Sequence, residues 1–154
     1  MVERTDVLLF DPFRDALSGM QLTHIWRGHG SAIFLEFGDL TPIKTSKRLD
    51  GQPNGQMSVM IEWSWRVENE TTILCGSWSE EDLWDSAFKS LLGSRVRQVE
   101  LFGRLPELKI ELDNGTHVLS FAASDGDPQW AIFDRRGSEN RWISVKSGNL
   151  VLGA

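Results

Sequence analysis

The strongest constraint on this chain is that its second half resembles its first, so whatever one half folds into, the other must fold into as well. Pro12-Phe13-Arg14-Asp15-Ala16-Leu17 lies over Ala87-Phe88-Lys89-Ser90-Leu91-Leu92 at an offset of 75. Gly19, Leu22 and Ile25 then meet Gly93, Val96 and Val99 at an offset of 74. Ile33, Leu35, Glu36 and Phe37 meet Leu108, Ile110, Glu111 and Leu112, again at 75. Trp65 and Ile73-Leu74-Cys75-Gly76 meet Trp142 and Leu150-Val151-Leu152-Gly153 at 77. Four blocks in one order with small drift point to duplication; the alternative is that any two β meanders share alternating apolar residues and turn glycines.

Each unit opens with a helix. Ser79 reads as an N-cap, with Glu80, Glu81 and Asp82 in a first turn where the helix dipole favours negative charge. Leu83, Trp84, Ala87, Phe88, Leu91 and Leu92 then form one apolar stripe, closed by Gly93. In the first unit Asp11 caps, Pro12 takes the first helical position, and Phe13 to Leu17 run to Gly19. The helices are expected to cover one face of the sheet.

Strands follow the helices. Val59, Ile61, Trp63, Trp65 and Val67 alternate with Ser58, Met60, Glu62, Ser64 and Arg66 and predict one long strand with a single buried face. Ile33, Leu35 and Phe37 alternate likewise, as do Leu108, Ile110 and Leu112. Asp113-Asn114-Gly115 and Ser147-Gly148-Asn149 are hairpin signals. Without strand–helix–strand alternation the fold class is α+β and β-rich: a duplicated helix and antiparallel meander, the two units packed as one pseudo-twofold domain. Unit one spans about 10–77, unit two about 78–154, and 154 residues that are 40% hydrophobic suit one core better than two.

What only one unit contains is where function is to be sought. Phe37 is followed by a long polar stretch, 38–56, where the second unit has only a tight turn. Its Lys44, Lys47 and Arg48 suit an acidic partner or a phosphate group, or else decorate a solvated insertion. The turn Trp26-Arg27-Gly28-His29-Gly30 places a cation, a titratable ring and an indole together; Trp26, Arg27 and His29 are candidate ligand-binding residues, with Arg104 in the corresponding second turn. The plainer reading of that turn is exposed polar residues around glycines.

Other chemistry is poorly represented. His24, His29, His117 and Cys75 stand at no recognised metal-ligand spacing, so no metal or other cofactor is expected. No nucleophile elbow, phosphate loop or dinucleotide fingerprint occurs, and Cys75 in an apolar strand reads as buried and inert. Glu36 and Glu111 occupy matched positions, yet alternation sends both to the wetter face, away from a shared acidic site. Trp63 and Trp65 read as core, whereas Trp26, Trp78, Trp130 and Trp142 fall near strand ends or loops.

The net charge of −6 is divided equally between residues 1–76 and 77–154 and disfavours nucleic acid as a partner. The apolar run Val7 to Phe10 is too short for a membrane span, and a lone cysteine suits a reducing, cytoplasmic setting. The expected function is a non-catalytic protein-interaction module, immunity-like or adaptor, binding a protein partner or self-associating. The alternative is a small-molecule-binding or hydrolytic domain with its site between the two units.

Overall fold

The period-two run from Ser58 to Val67 does not form one strand. In the computed structural model, which describes residues 4–42 and 51–153, the chain changes sheets at residues 62–64. Its elements are α1 (Arg4–Leu17), β1 (Leu22–Arg27), β2 (Ile33–Phe37), β3 (Met57–Ile61), β4 (Trp65–Glu68) and β5 (Ile73–Gly76), then α2 (Glu81–Leu91), β6 (Val96–Phe102), β7 (Glu107–Leu112), β8 (His117–Ser120), β9 (Trp130–Asp134), β10 (Arg141–Lys146) and β11 (Asn149–Gly153). The fold is α+β and β-rich, with two wholly antiparallel sheets. One is ordered β1-β2-β3-β9-β10-β11, the other β5-β4-β8-β7-β6.

Val59, Ile61, Trp65 and Val67 are all buried, because the strands on either side of the break turn their inward residues to the same core. Alternation therefore survives a change of sheet, and periodicity alone does not see it. Trp63, expected beside Trp65 in the core, lies at the corner and is 40% exposed. Ser31 Oγ donates to the carbonyls of Glu62 and Trp63, at 3.3 and 2.7 Å, and pins the crossing.

The first helix begins well before Asp11. Pro12 stands inside it, where its ring removes one hydrogen bond on a side that leaves Leu8 exposed. Burial of Phe10 and Phe13 outweighs that loss, and Phe10 meets Trp130 edge-on at 6.2 Å. The second helix takes Glu80 as its N-cap without a side-chain bond; Ser79, the expected cap, accepts the Gly76 N–H instead, at 2.9 Å. Trp84, Ala87, Phe88 and Leu91 form its buried stripe, while Leu83 and Leu92, expected in that stripe, are exposed. Rather than covering one face of one sheet, α1 packs on β6 and β9–β11, and α2 on β5. Trp84 and Phe88 contact Trp65, at 4.9 and 5.8 Å between ring centroids.

Two fully buried tryptophans tie the sheets together. Trp65 in the five-stranded sheet donates Nε1–H to Ser31 O in the β1–β2 turn, at 2.7 Å. Trp130 in the six-stranded sheet donates to Pro106 O in the β6–β7 turn, at 3.0 Å. Trp130 stands at a strand end, as expected, and is nonetheless fully buried: an indole N–H inside a core needs an acceptor, and a turn carbonyl supplies it. The sheets also join where β1 and β6 begin. Gly19 N–H bonds to Val96 O and Gly93 N–H to Leu22 O, both at 2.9 Å, and both glycines hold positive φ.

Candidate functional site

The outward faces of the two sheets differ in chemistry. Register carries Phe34, Met60, Ala131, Ser144 and Val151 across the six-stranded sheet, with Trp26 opposite Phe34. The next row is His24, Glu36, Ser58, Phe133, Trp142 and Gly153. On the five-stranded sheet the equivalent surface carries Gln98, Glu100, Lys109, Glu111, His117, Arg66 and Glu68. Charged residues on a strand's outer face are ordinary; a row of indole and phenyl rings there is not.

Those rings wall a cleft of about 400 Å³ lined by Trp26, Phe34, Asn54, Phe133, Arg135, Asn140 and Trp142. Trp26 stacks on Phe34 with centroids 3.9 Å apart and planes 7° from parallel. Phe133 and Trp142 form a tilted pair at 6.4 Å on the other side. The Trp142 indole lies across Gly153, where any Cβ would strike the ring. The Arg135 guanidinium stands 5.4 Å from the centre of Phe133.

Beneath Trp26 is a charged network. Glu36 has no exposed surface, and its carboxylate accepts Trp26 Nε1–H and Gly55 N–H, each at 2.9 Å. Ser58 Oγ also donates to Glu36 and accepts from Arg135 Nη1, which lies 3.9 Å from the same carboxylate. Glu36 was expected on a wet face. The segment ending the 38–56 stretch closes over it, because Thr41 and Asn54 exchange backbone hydrogen bonds at 2.8 and 3.0 Å and bring Gly55 onto the strand. A buried carboxylate is costly unless its lone pairs are filled, and three donors with a guanidinium nearby fill them here. The network therefore sets the position of Trp26.

Across the cleft, Asp134 orients the β9–β10 connection that carries Arg135 and Asn140. Its carboxylate takes Arg136 in a two-point pair at 3.0 and 3.1 Å, and Arg141 at 3.1 Å. The Arg136 hydrogen bond first, then Arg141, holds the Asp134 carboxyl down at about 2 despite burial.

Of the residues singled out from the sequence, Trp26 lines this cleft. Arg27 points the other way, pairing with Glu81 at 2.8 Å and lying 4.8 Å over Trp84, so it fastens α2 to the strand. His29 is exposed in the β1–β2 turn, and the expected trio does not converge. Arg104 lines a different cleft at the far end of the second half. Lys44, Lys47 and Arg48 lie outside the described residues. Glu36 and Glu111 are in different sheets, and Glu111 instead faces His117 at 3.3 Å. Cys75 is buried, which pushes its thiol up to about 11.

Phe34, Phe133, Arg135 and Asn140 escaped the sequence reading. Ile33-Phe34-Leu35 and Trp130-Ala131-Ile132-Phe133 lack polar alternation, and that pattern marks a strand covered on both faces. No protein-family model, no curated protein and no solved structure matches this chain.

Proposed function

We propose that this chain is a non-catalytic protein-interaction module, and that it binds through the aromatic cleft on the outer face of its six-stranded sheet. The observation that carries the reading is the cleft's construction: four aromatic side chains on four strands of one sheet, one of them anchored by a fully buried carboxylate. Tryptophan and arginine at the centre of a preorganised patch are typical anchors of protein interfaces, because they bury large area with little rotamer entropy lost. The Ser58 hydroxyl donates to the Glu36 carboxylate, but Ser58 is 1% exposed and Glu36 has no exposed surface, so that pair is sealed from a substrate in the cleft. The immunity-like and adaptor readings are both forms of this proposal.

A duplicated ancestry supports the location. If β1–β5 correspond in order to β6–β10, each sheet takes three strands from one unit and two from the other, and β11 is an addition. Support comes from paired details: the two tryptophan-to-turn bonds of Trp65 and Trp130, the reciprocal Gly19–Val96 and Gly93–Leu22 bonds, and irregular register at Leu22/His24 and Val96/Gln98. On this correspondence Trp65 matches Trp130 rather than Trp142. The aromatic cleft then spans both units, and Asn54 and Asn140 enter it from connections in which the units differ.

Substituting Trp142→Ala tests the reading. Affinity capture from native lysate should recover a partner with the unaltered protein and lose it with the variant, while far-ultraviolet circular dichroism stays unchanged. Equal recovery by both would remove the cleft from the interface. The small-molecule alternative is favoured by the cleft's position between the proposed units and by its volume, which falls within the range of ligand sites. Thermal shift with a metabolite panel, reversed by Trp142→Ala, would select that alternative.

A further inference from the structure

The largest cleft among those described lies elsewhere, at about 940 Å³, and belongs wholly to the second half. It is enclosed by the β6–β7 turn, the β8–β9 connection at residues 121–129 and the β10–β11 turn. On the proposed correspondence of the halves, the β3–β4 connection that would match residues 121–129 is only residues 62–64.

Its walls combine apolar surface with negative charge. Leu105 is 62% exposed and Phe121 38%, the latter with the Arg66 guanidinium 5.0 Å over its ring. Glu107, Asp125 and Asp127 line the cleft against a single cation, Arg104. No ion pair engages Asp125 or Arg104 among the described residues. Glu107 is held rigidly by Ser120 Oγ–H at 2.9 Å and by Ala122 N–H at 3.1 Å. A further polar group is unfilled. Gln129 donates its Nε2 to Ser124 O and Gly126 O, at 3.1 and 2.6 Å, which fixes the amide orientation. Its Oε1 is buried and accepts no hydrogen bond among the described residues.

We infer that this end cleft is a second binding site, one that docks a basic segment of a partner protein through a lysine or arginine flanked by apolar residues. The charge balance selects the occupant. Three carboxylates line the cleft against Arg104, the Arg66 guanidinium beside Phe121 is already paired with Glu68, and the whole chain's charge of −6 steers a cationic segment toward the carboxylates. A lysine or arginine stem covers Leu105 while its head reaches the carboxylates, since such side chains are apolar along most of their length. A second copy of this chain is disfavoured, because the same acidic surface would face itself. The inference is independent of the aromatic cleft, which lies on an outer sheet face and shares no lining residue with this one.

The probe is a fluorescein-labelled six-residue peptide of alternating lysine and leucine, followed by anisotropy at low and at physiological salt. Its control replaces each lysine with glutamate. The native protein should bind the lysine peptide saturably, more weakly as salt rises, and should not bind the control. Asp125→Lys should weaken binding about fivefold, and Arg104→Glu should strengthen it by about as much, the scale expected for exposed charges at a rim. Both substitutions are at exposed loop positions, so opposite shifts cannot come from misfolding. Failure of the lysine peptide to bind, equal binding of the control, or shifts of the same sign in the two variants would overturn the inference. So would sedimentation showing a dimer that Arg104→Glu dissociates, since a second copy would then be the occupant. Trp142→Ala should leave peptide binding unchanged, which separates failure here from failure at the aromatic cleft.

Discussion

Replacing Glu36 with glutamine isolates what the buried carboxylate contributes. The amide has the same shape, but one of its two ends becomes a donor. Whichever way it turns, that donor faces Trp26 Nε1–H on one side or Gly55 N–H and Ser58 on the other. One hydrogen bond to a charged acceptor is lost, about 1.5–3 kcal/mol, and a buried donor is left opposite another. Arg135 keeps its charge without the carboxylate 3.9 Å away, but it is a quarter exposed, so that adds under about 1 kcal/mol. Against this, a neutral amide is cheaper to bury than a carboxylate. The expected net loss is about 2–3 kcal/mol, or roughly 5–10 °C in Tm for a domain of this size. Urea unfolding followed by tryptophan fluorescence measures it, and the slope should not change. Trp26→Phe removes the indole donor, so a double-mutant cycle with Glu36→Gln should give a coupling of about 1 kcal/mol. A loss below about 0.5 kcal/mol for Glu36→Gln, or a coupling near zero, would refute the claim that Glu36 positions Trp26.

Trp65→Phe and Trp130→Phe each remove one buried indole N–H bond and leave a turn carbonyl unfilled, so each should lower stability by about 1–3 kcal/mol in urea titrations. Nearly equal losses are expected from their matched environments, and a difference above about 2 kcal/mol would count against the correspondence of the halves. Asp134, with its folded-state carboxyl at about 2 against a usual 3.8, contributes stability that is fully present above about pH 4. That contribution disappears as pH falls toward 2, because protonation then costs the folded state more than the unfolded one. Discounted for two partly exposed arginines it is about 1–2 kcal/mol, and Asp134→Asn should abolish this pH dependence. Cys75, buried with its thiol raised to about 11, should react with a thiol reagent at neutral pH only as fast as the chain opens; rapid native-state labelling would contradict its placement.

Local chemistry in the sequence determined much of the framework. The apolar stripe Trp84–Leu91, the turns at Asp113–Gly115 and Ser147–Gly148, and the inward residues of β2 and β7 all appear where spacing puts them. These depend on neighbours a few residues away, and periodicity records such neighbours directly. Tertiary structure alone decided that the run through Trp63 breaks between two sheets, that Trp130 is buried, and that Glu36 is sealed under Trp26. It also decided that Trp26 and Arg104 belong to different clefts and that Arg27 serves α2. The reason is common to all of these. Which face of a strand stays wet depends on what packs over it, and for Glu36 that cover is the Asn54–Gly55 segment, brought onto β2 by backbone bonds to Thr41. The resemblance of the halves predicted a shared scaffold, while only the folded arrangement of strands brought residues from both ends of the chain onto one aromatic face.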